Sequence, residues 1–309
     1  MTRFGDFQPL CTNTPSYPWC NLFYRQLEHE SPSTLAGVSA DAVSAPVGIN
    51  PVCGALRLGH DGSLGNVANI VACAVSIIFV VLLIVFTSRR TAAVGRVELR
   101  YFQILYLFTL PFQLVTTGGF LEQGSTALVV VTAIHAGLVA ALFWTLLANG
   151  IVATQVVEDG TLSSLIPFHF FTLAFFAATT YISLDVAFTY TSTFGPSVPP
   201  QALHSTPLFV FTSIWPGAAA ILYFLLMLYI VLGILNEVRP VWYFILAATV
   251  FVLSQLDYFL LNKVICRGSN ARVDGSFVAT ILETAAVGIL YLAWKSITED
   301  SWDDAAYYP

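Results

Sequence analysis

Seven long apolar stretches, joined by short loops, fill nearly all of the chain beyond Asn66: residues 67–88, 101–121, 126–151, 165–190, 208–235, 241–261 and 277–294. Each falls within or above the ~17–25 residues that a helix needs to cross the hydrocarbon core of a bilayer. Helices satisfy their own backbone hydrogen bonds in lipid, so the expected fold is all-α, a polytopic membrane bundle of seven transmembrane helices. The composition agrees, since 57% of the residues are hydrophobic and only 10% charged, against ~25% charged in a soluble domain. Within 309 residues this leaves a tail at 1–66, a seven-helix domain at 67–294 and an acidic tail at 295–309. Any chemistry must lie between helices or in short loops.

Orientation follows from charge. Arg89, Arg90, Arg96 and Arg100 crowd the loop after the first stretch, which by the positive-inside rule faces the cytosol. The N-terminus is then luminal and, after seven spans, the C-terminus cytosolic. Lys263, Arg267 and Arg272 dissent, because they fall between spans six and seven on the luminal side. The first twenty residues lack the continuous apolar core of a cleavable signal, so residues 67–88 are expected to act as an uncleaved anchor.

Cys11, Cys20, Cys53 and Cys266 all fall on the proposed luminal side, and Cys73 lies inside the first span. An oxidising compartment permits two disulfides. Four cysteines allow three connectivities, one being a local Cys11–Cys20 loop with a Cys53–Cys266 tie, and the sequence does not rank them. The apolar residues of the N-terminal tail, such as Phe7, Trp19 and Phe23, are expected to pack on the luminal face, followed by a Ser/Ala/Pro-rich linker at 31–51. Pro111, Pro167 and Pro216 are expected to kink their spans. The proline-rich segment 194–207 reads as an extended cap.

Ionisable groups inside the spans are few: His135, His169, Asp185, Asp257 and Glu283. Such groups are costly in lipid and face protein. Asp185, Asp257 and Glu283 fall within about 10 Å of the luminal helix ends at 1.5 Å per residue. With Lys263, Arg267 and Arg272 above them, they form a candidate polar network in which loop cations pair with a ring of carboxylates. The alternative is a sensor or transporter site built from the same carboxylates. No H-x-x-x-H or H-E-x-x-H occurs, so no metal site and no cofactor is expected. Span seven lacks a central lysine for retinal, and no D-x-D or Q-x-x-R-W marks a glycosyltransferase. The net charge of −6, without a basic stripe, argues against nucleic acid. At the cytosolic face Asn149, Glu158, Asp159, Glu299 and Asp300 are candidate partner contacts, the acidic tail being a possible signal for vesicle coat proteins.

Several local sequences are more specific. Phe4-Gly5-Asp6-Phe7 with Cys11 and Cys20, Ala93-Val94-Gly95-Arg96, Asn149-Gly150 and Glu158-Asp159-Gly160-Thr161 occur in order. Val264-Ile265-Cys266, Asp274-Gly275-Ser276-Phe277, Leu282-Glu283-Thr284 and Trp294-Lys295-Ser296-Ile297-Thr298-Glu299-Asp300 follow. Together they resemble the fungal chitin synthase export chaperone family over nearly the whole chain; the linker at 31–51 is longer than that family's pattern. The resemblance implies a multi-pass protein of the endoplasmic reticulum membrane. It would bind newly made chitin synthase, prevent its aggregation and permit its exit to the cell surface, and it is not an enzyme. Small and polar residues of the spans offer faces for such a client: Thr116, Thr117, Gly118, Gly119, Asn149, Thr179, Thr180, Ser183, Ser254 and Gln255.

Overall fold

A computed structural model describes residues 3–14, 16–35, 65–270 and 272–298. Among these residues the fold is helical, with a single isolated bridge between Asp6 and His204 in place of any strand. Two short helices, α1 (Gln8–Asn13) and α2 (Cys20–Glu30), precede seven long ones. These are α3 (Val67–Arg89), α4 (Arg96–Thr117), α5 (Thr126–Ala153), α6 (Leu162–Phe188), α7 (Thr206–Ile234), α8 (Arg239–Gly268) and α9 (Gly275–Ser296).

Six of the long helices are long and apolar enough to cross a membrane by length and composition: α3, α5, α6, α7, α8 and α9. Where the sequence reading counts seven spans, this criterion identifies six. α4 is 22 residues long but carries Arg96, Glu98, Arg100, Gln103, Gln113 and Pro111, which dilute its apolar content. It also begins five residues earlier than expected, because Gly95 supplies the left-handed N-cap that starts it. Lys263 and Arg267, placed in a loop by the sequence reading, belong to the last turns of α8. Segment 194–207 holds a 3₁₀ turn at Pro200–Ala202, and α7 begins at Thr206.

Side-chain caps fix several starts. Ser125 accepts the Leu128 N–H at 3.3 Å to open α5, and Asp274 accepts the Ser276 N–H at 3.1 Å to open α9. Such caps answer the unpaired N–H groups of a first turn.

Helices α3, α4, α5, α7, α8 and α9 form a ring in which each packs on the next, and α9 returns to α3. The junction between α7 and α8 is the sparse one. α6 lies outside the ring against α5 and α2, and it is the least buried of the six apolar helices, whereas α5 is the most buried. Ala133, Ala136, Gly137, Ala140 and Ala141 line the buried part of α5, and side chains this small let neighbouring helices approach closely.

Candidate functional site

Three regions of the molecule concentrate polar chemistry. The first is a plug at the α5 start and α6 end of the bundle. Cys11 and Cys20 are joined in a disulfide with Cα atoms 5.7 Å apart, which clips α1 to the start of α2. Phe7, Trp19, Leu22 and Phe23 are buried there against Val129 and Ala133 of α5 and Val186 of α6. Gln26 ties the plug to two elements at once. Its amide donates to the Val186 carbonyl at 2.6 Å, and its carbonyl accepts from the Ser197 N–H at 3.2 Å and the Ser197 hydroxyl at 2.8 Å. Arg25 donates to Gly124 O at 2.9 Å, and the Tyr258 hydroxyl donates to Ser16 O at 3.0 Å. Loop 194–207 closes over α1, with Phe7 N–H donating to Leu203 O and Ser205 N–H to Gly5 O. His204 lies 2.9 Å from the Asp6 carboxylate. Against partial burial, which would raise it, hydrogen bonds from the Arg3 N–H and His204 hold the Asp6 carboxyl below its usual range.

The second region is a polar ladder joining α3, α4 and α9. Asn66 donates to Asp274 at 3.3 Å and to Ser276 at 3.0 Å. Asn69 donates to Thr117 at 2.9 Å and accepts from Thr280 at 2.9 Å, while Gln113 donates to Thr280 at 2.8 Å. Thr284 continues the series, bonding Ser76 and Tyr106 at 2.8 Å each. Interhelical bonds of this kind fix which helices neighbour one another in an apolar surrounding.

The third lies at the opposite end, where three of the sequence motifs meet. Gly95 N–H donates to Asp159 at 2.9 Å, and Gly160 N–H donates to Glu98 at 2.9 Å. Both glycines hold left-handed backbone, φ +69° and +67°, which a side chain would disfavour. Glu98, fully buried, also accepts from Ser164 at 2.9 Å. Trp294 donates to Val94 O at 2.8 Å, and Arg90 donates to Thr298 O at 2.6 Å while lying over the Trp294 ring. The α3–α4 loop, the α5–α6 loop and the end of α9 are thereby clamped together.

The structure divides the candidate network. Asp185 is fully buried and caps the end of its own helix, accepting from the Thr191 N–H and hydroxyl at 2.7 Å each. Asp257 sits in the π-helical turn Asp257–Leu261 beside the α9 start. Glu283 accepts from Gln255 at 2.9 Å. Among the described residues none of the three forms an ion pair with Lys263, Arg267 or Arg272, the latter two being exposed. His135 meets Thr116 and Trp19, whereas His169 packs edge-on to Tyr101, so the two histidines do not converge. No group of three or more potential metal ligands occurs among the described residues.

Of the cytosolic candidates, Asp159 serves the clamp, Glu158 is exposed, and Asn149 bonds back to Thr145 O. Glu299 and Asp300 lie outside the described residues, as does Cys53; Cys266 is disulfide-bonded. Most of the small and polar residues offered as client faces turn inward instead, while Gly119, Asn149, Thr180 and Gln255 are partly buried. Thr116, Thr117, Thr179, Ser183 and Ser254 are all buried in the bundle. In a chain this apolar, polar groups gain most by pairing with one another. Sequence reasoning missed Glu98, Gln26, Asn66, Asn69 and Asp274. A signal existed for the asparagines, since they interrupt the start of a highly apolar stretch. Glu98 was masked by starting its span at residue 101.

These features define a class: a multi-pass helical membrane protein whose loops and tail knit the bundle at both ends. Residues 3–307 match the family model described as chitin synthase export chaperone, and the chain belongs to that family. Proteins named chitin synthase export chaperone are similar along almost the whole chain. That of Coccidioides immitis is 27% identical over 302 residues, covering 96% of this chain and 83% of the relative. That of Kluyveromyces lactis is 26% identical over 308 residues, covering 96% and 92%. No solved structure matches.

Proposed function

We propose that this protein is a membrane chaperone that binds newly made chitin synthase in the endoplasmic reticulum, prevents its aggregation and permits its exit to the cell surface. Family membership over residues 3–307 carries the reading. α4 would cross the membrane as the seventh span, since it packs between α3 and α5 along the ring and its Glu98, Gln103 and Gln113 are inside or partly inside the protein. The plug would then be luminal, where its disulfide is stable, and the clamp cytosolic beside the arginine-rich loop. Vesicle coat proteins would read the acidic segment beyond the clamp, and the surrounding bilayer is the remaining partner.

The client surface would be the outer face of α6. That helix stands outside the ring, and Ala174 and Ala178 are exposed one helical turn apart between Phe170 and Tyr181. Small residues at this spacing let a second helix approach closely in lipid. The first test removes the protein from cells and locates chitin synthase; normal surface delivery without it would sink the proposal. The second replaces Ala174 and Ala178 together by leucine. Co-purification of the synthase should fall by at least tenfold while the protein still folds with its Cys11–Cys20 disulfide, and undiminished co-purification would exclude this face.

A further inference from the structure

The ring of helices encloses a cavity of about 710 Å³ beneath the plug, bounded by α4, α5, α7, α8 and α9. That volume lies within the ~300–1,000 Å³ typical of small-ligand sites. Its walls are mostly aromatic and aliphatic, with Phe102, Phe143, Phe244 and Phe251 among them, and Tyr17, Pro18 and Trp19 of the plug form part of its lining. Along α9 the lining runs from Ala279 to Leu290, about 16 Å at 1.5 Å per residue.

We propose that this cavity binds a membrane amphiphile with one compact apolar body and a small head that donates hydrogen bonds, a hydroxyl or an amine. Access comes from the bilayer. Ile221 and Leu225 of α7 and Val252 of α8 line the cavity yet are 62%, 55% and 54% exposed, so its wall runs out to the lipid-facing surface where α7 and α8 touch least. Gly217 sits on the same wall, and a Cβ there would meet nothing within 4 Å.

The head group is set by the polar residues. Glu283 lines the cavity with Gln255 as its hydrogen-bond partner, and among the described residues no cation pairs with it. A carboxyl group placed this way within a membrane marks a functional pathway or site by default. The Tyr17 hydroxyl is also buried in this lining, beside the polar groups of Thr212 and Ser213. Gln113, Thr117 and His135 add further polar groups to the lining. No Lys or Arg lines the cavity, so nothing there would hold a phosphate head group. Two π-helical turns, Val210–Ile214 and Asp257–Leu261, place Thr212, Ser213, Tyr258 and Phe259 in this lining; such turns inside α-helices recur at functional sites. A transmembrane helix of the client does not fit, because a helix that crosses the hydrocarbon core is ~30 Å long, nearly twice the stretch of α9 that lines the cavity.

The test uses the full chain, stripped of lipid in detergent, and photoreactive probes: a sterol alcohol, its methyl ether, a long-chain primary amine and a phosphatidylcholine. The alcohol or the amine should label peptides of α5, α8 and α9 that line the cavity, and whichever labels identifies the head. The ether should label about tenfold less. Ala247→Phe on α8, and independently Ala220→Phe on α7, should each reduce labelling at least tenfold, so failure of one variant to fold leaves the other as the test. Glu283→Leu should erase the preference for a donor head. Labelling confined to outward residues such as Phe170 and Trp242, or unaffected by the filling variants, would overturn the proposal. So would equal cavity labelling by phosphatidylcholine. None of these outcomes depends on which protein is the client.

Discussion

At the scale of single residues, the buried acids show why position in a loop or a helix says little about role. Asp274 stands one residue before α9, buried, and accepts from the Ser276 N–H, the Ser276 hydroxyl and the Asn66 amide. Burial pushes its carboxyl above the usual range, with the Ser276 hydrogen bonds opposing. A carboxyl whose folded pKa is raised contributes stability that is present at low pH and lost as pH rises through that folded pKa. Asn caps helices as well as Asp and carries no charge. Asp274→Asn should therefore melt at or above the wild-type temperature near neutral pH, with the difference shrinking as the pH is lowered towards 4. Asp274→Ala should lose about 1 kcal/mol near pH 4, the usual cost of a missing cap, and less near neutral pH, where the wild-type carboxylate is itself unfavourable. Thermal melts of the purified protein across that range decide the matter, and a wild-type-to-Asn difference that does not vary with pH would refute the charge assignment.

At the scale of elements, the apolar stretches announced the long helices because lipid requires them, and the stretch expected from residue 126 begins where the structure places Ser125 as the cap of α5. The α4 start was not, because Arg96, Glu98 and Arg100 look like loop residues until Glu98 is seen bonded to Gly160 and Ser164 across the clamp. The direction of polar side chains was equally hidden. A threonine or serine in an apolar helix is the same letter whether it faces a client or its neighbour, and here Thr179 and Ser183 face inward. Small residues divide the same way. Gly137 sits where α5 meets α6, and a Cβ there would come to 2.7 Å from the Phe176 carbonyl oxygen and closer still to the Thr180 hydroxyl. Overpacking of this kind costs about 1–3 kcal/mol. Gly137→Ala should lower the melting temperature measurably, whereas Gly217→Ala, entering open space, should leave it nearly unchanged. Equal melting temperatures for the two variants would show that α5 and α6 are not closely apposed.

At the scale of the whole molecule, the plug lies outside the long stretches and yet completes both the core and the cavity; its apolar residues were legible as a cap on the bundle, whereas its hydrogen bonds to α6 and to loop 194–207 were not. Its hold is divisible. Gln26, Arg25 and Tyr258 supply hydrogen bonds to the bundle and loops, while the Cys11–Cys20 bond closes a loop with a sequence separation of 9. Closing a loop of that size removes roughly 2–3 kcal/mol of chain entropy from the open state. Replacing both cysteines by serine should therefore loosen the plug while leaving the ring intact, since the ladder of Asn69, Thr117 and Thr280 contains no plug residue. Amide hydrogen exchange reads this directly. Protection of α2 should fall about 30- to 150-fold, the exchange equivalent of 2–3 kcal/mol at 1.4 kcal/mol per tenfold, with α3, α4 and α9 unchanged. A uniform loss of protection across all helices would mean that plug and ring unfold as one unit. No loss at all would mean that the hydrogen bonds of Gln26 and its neighbours hold the plug without the disulfide.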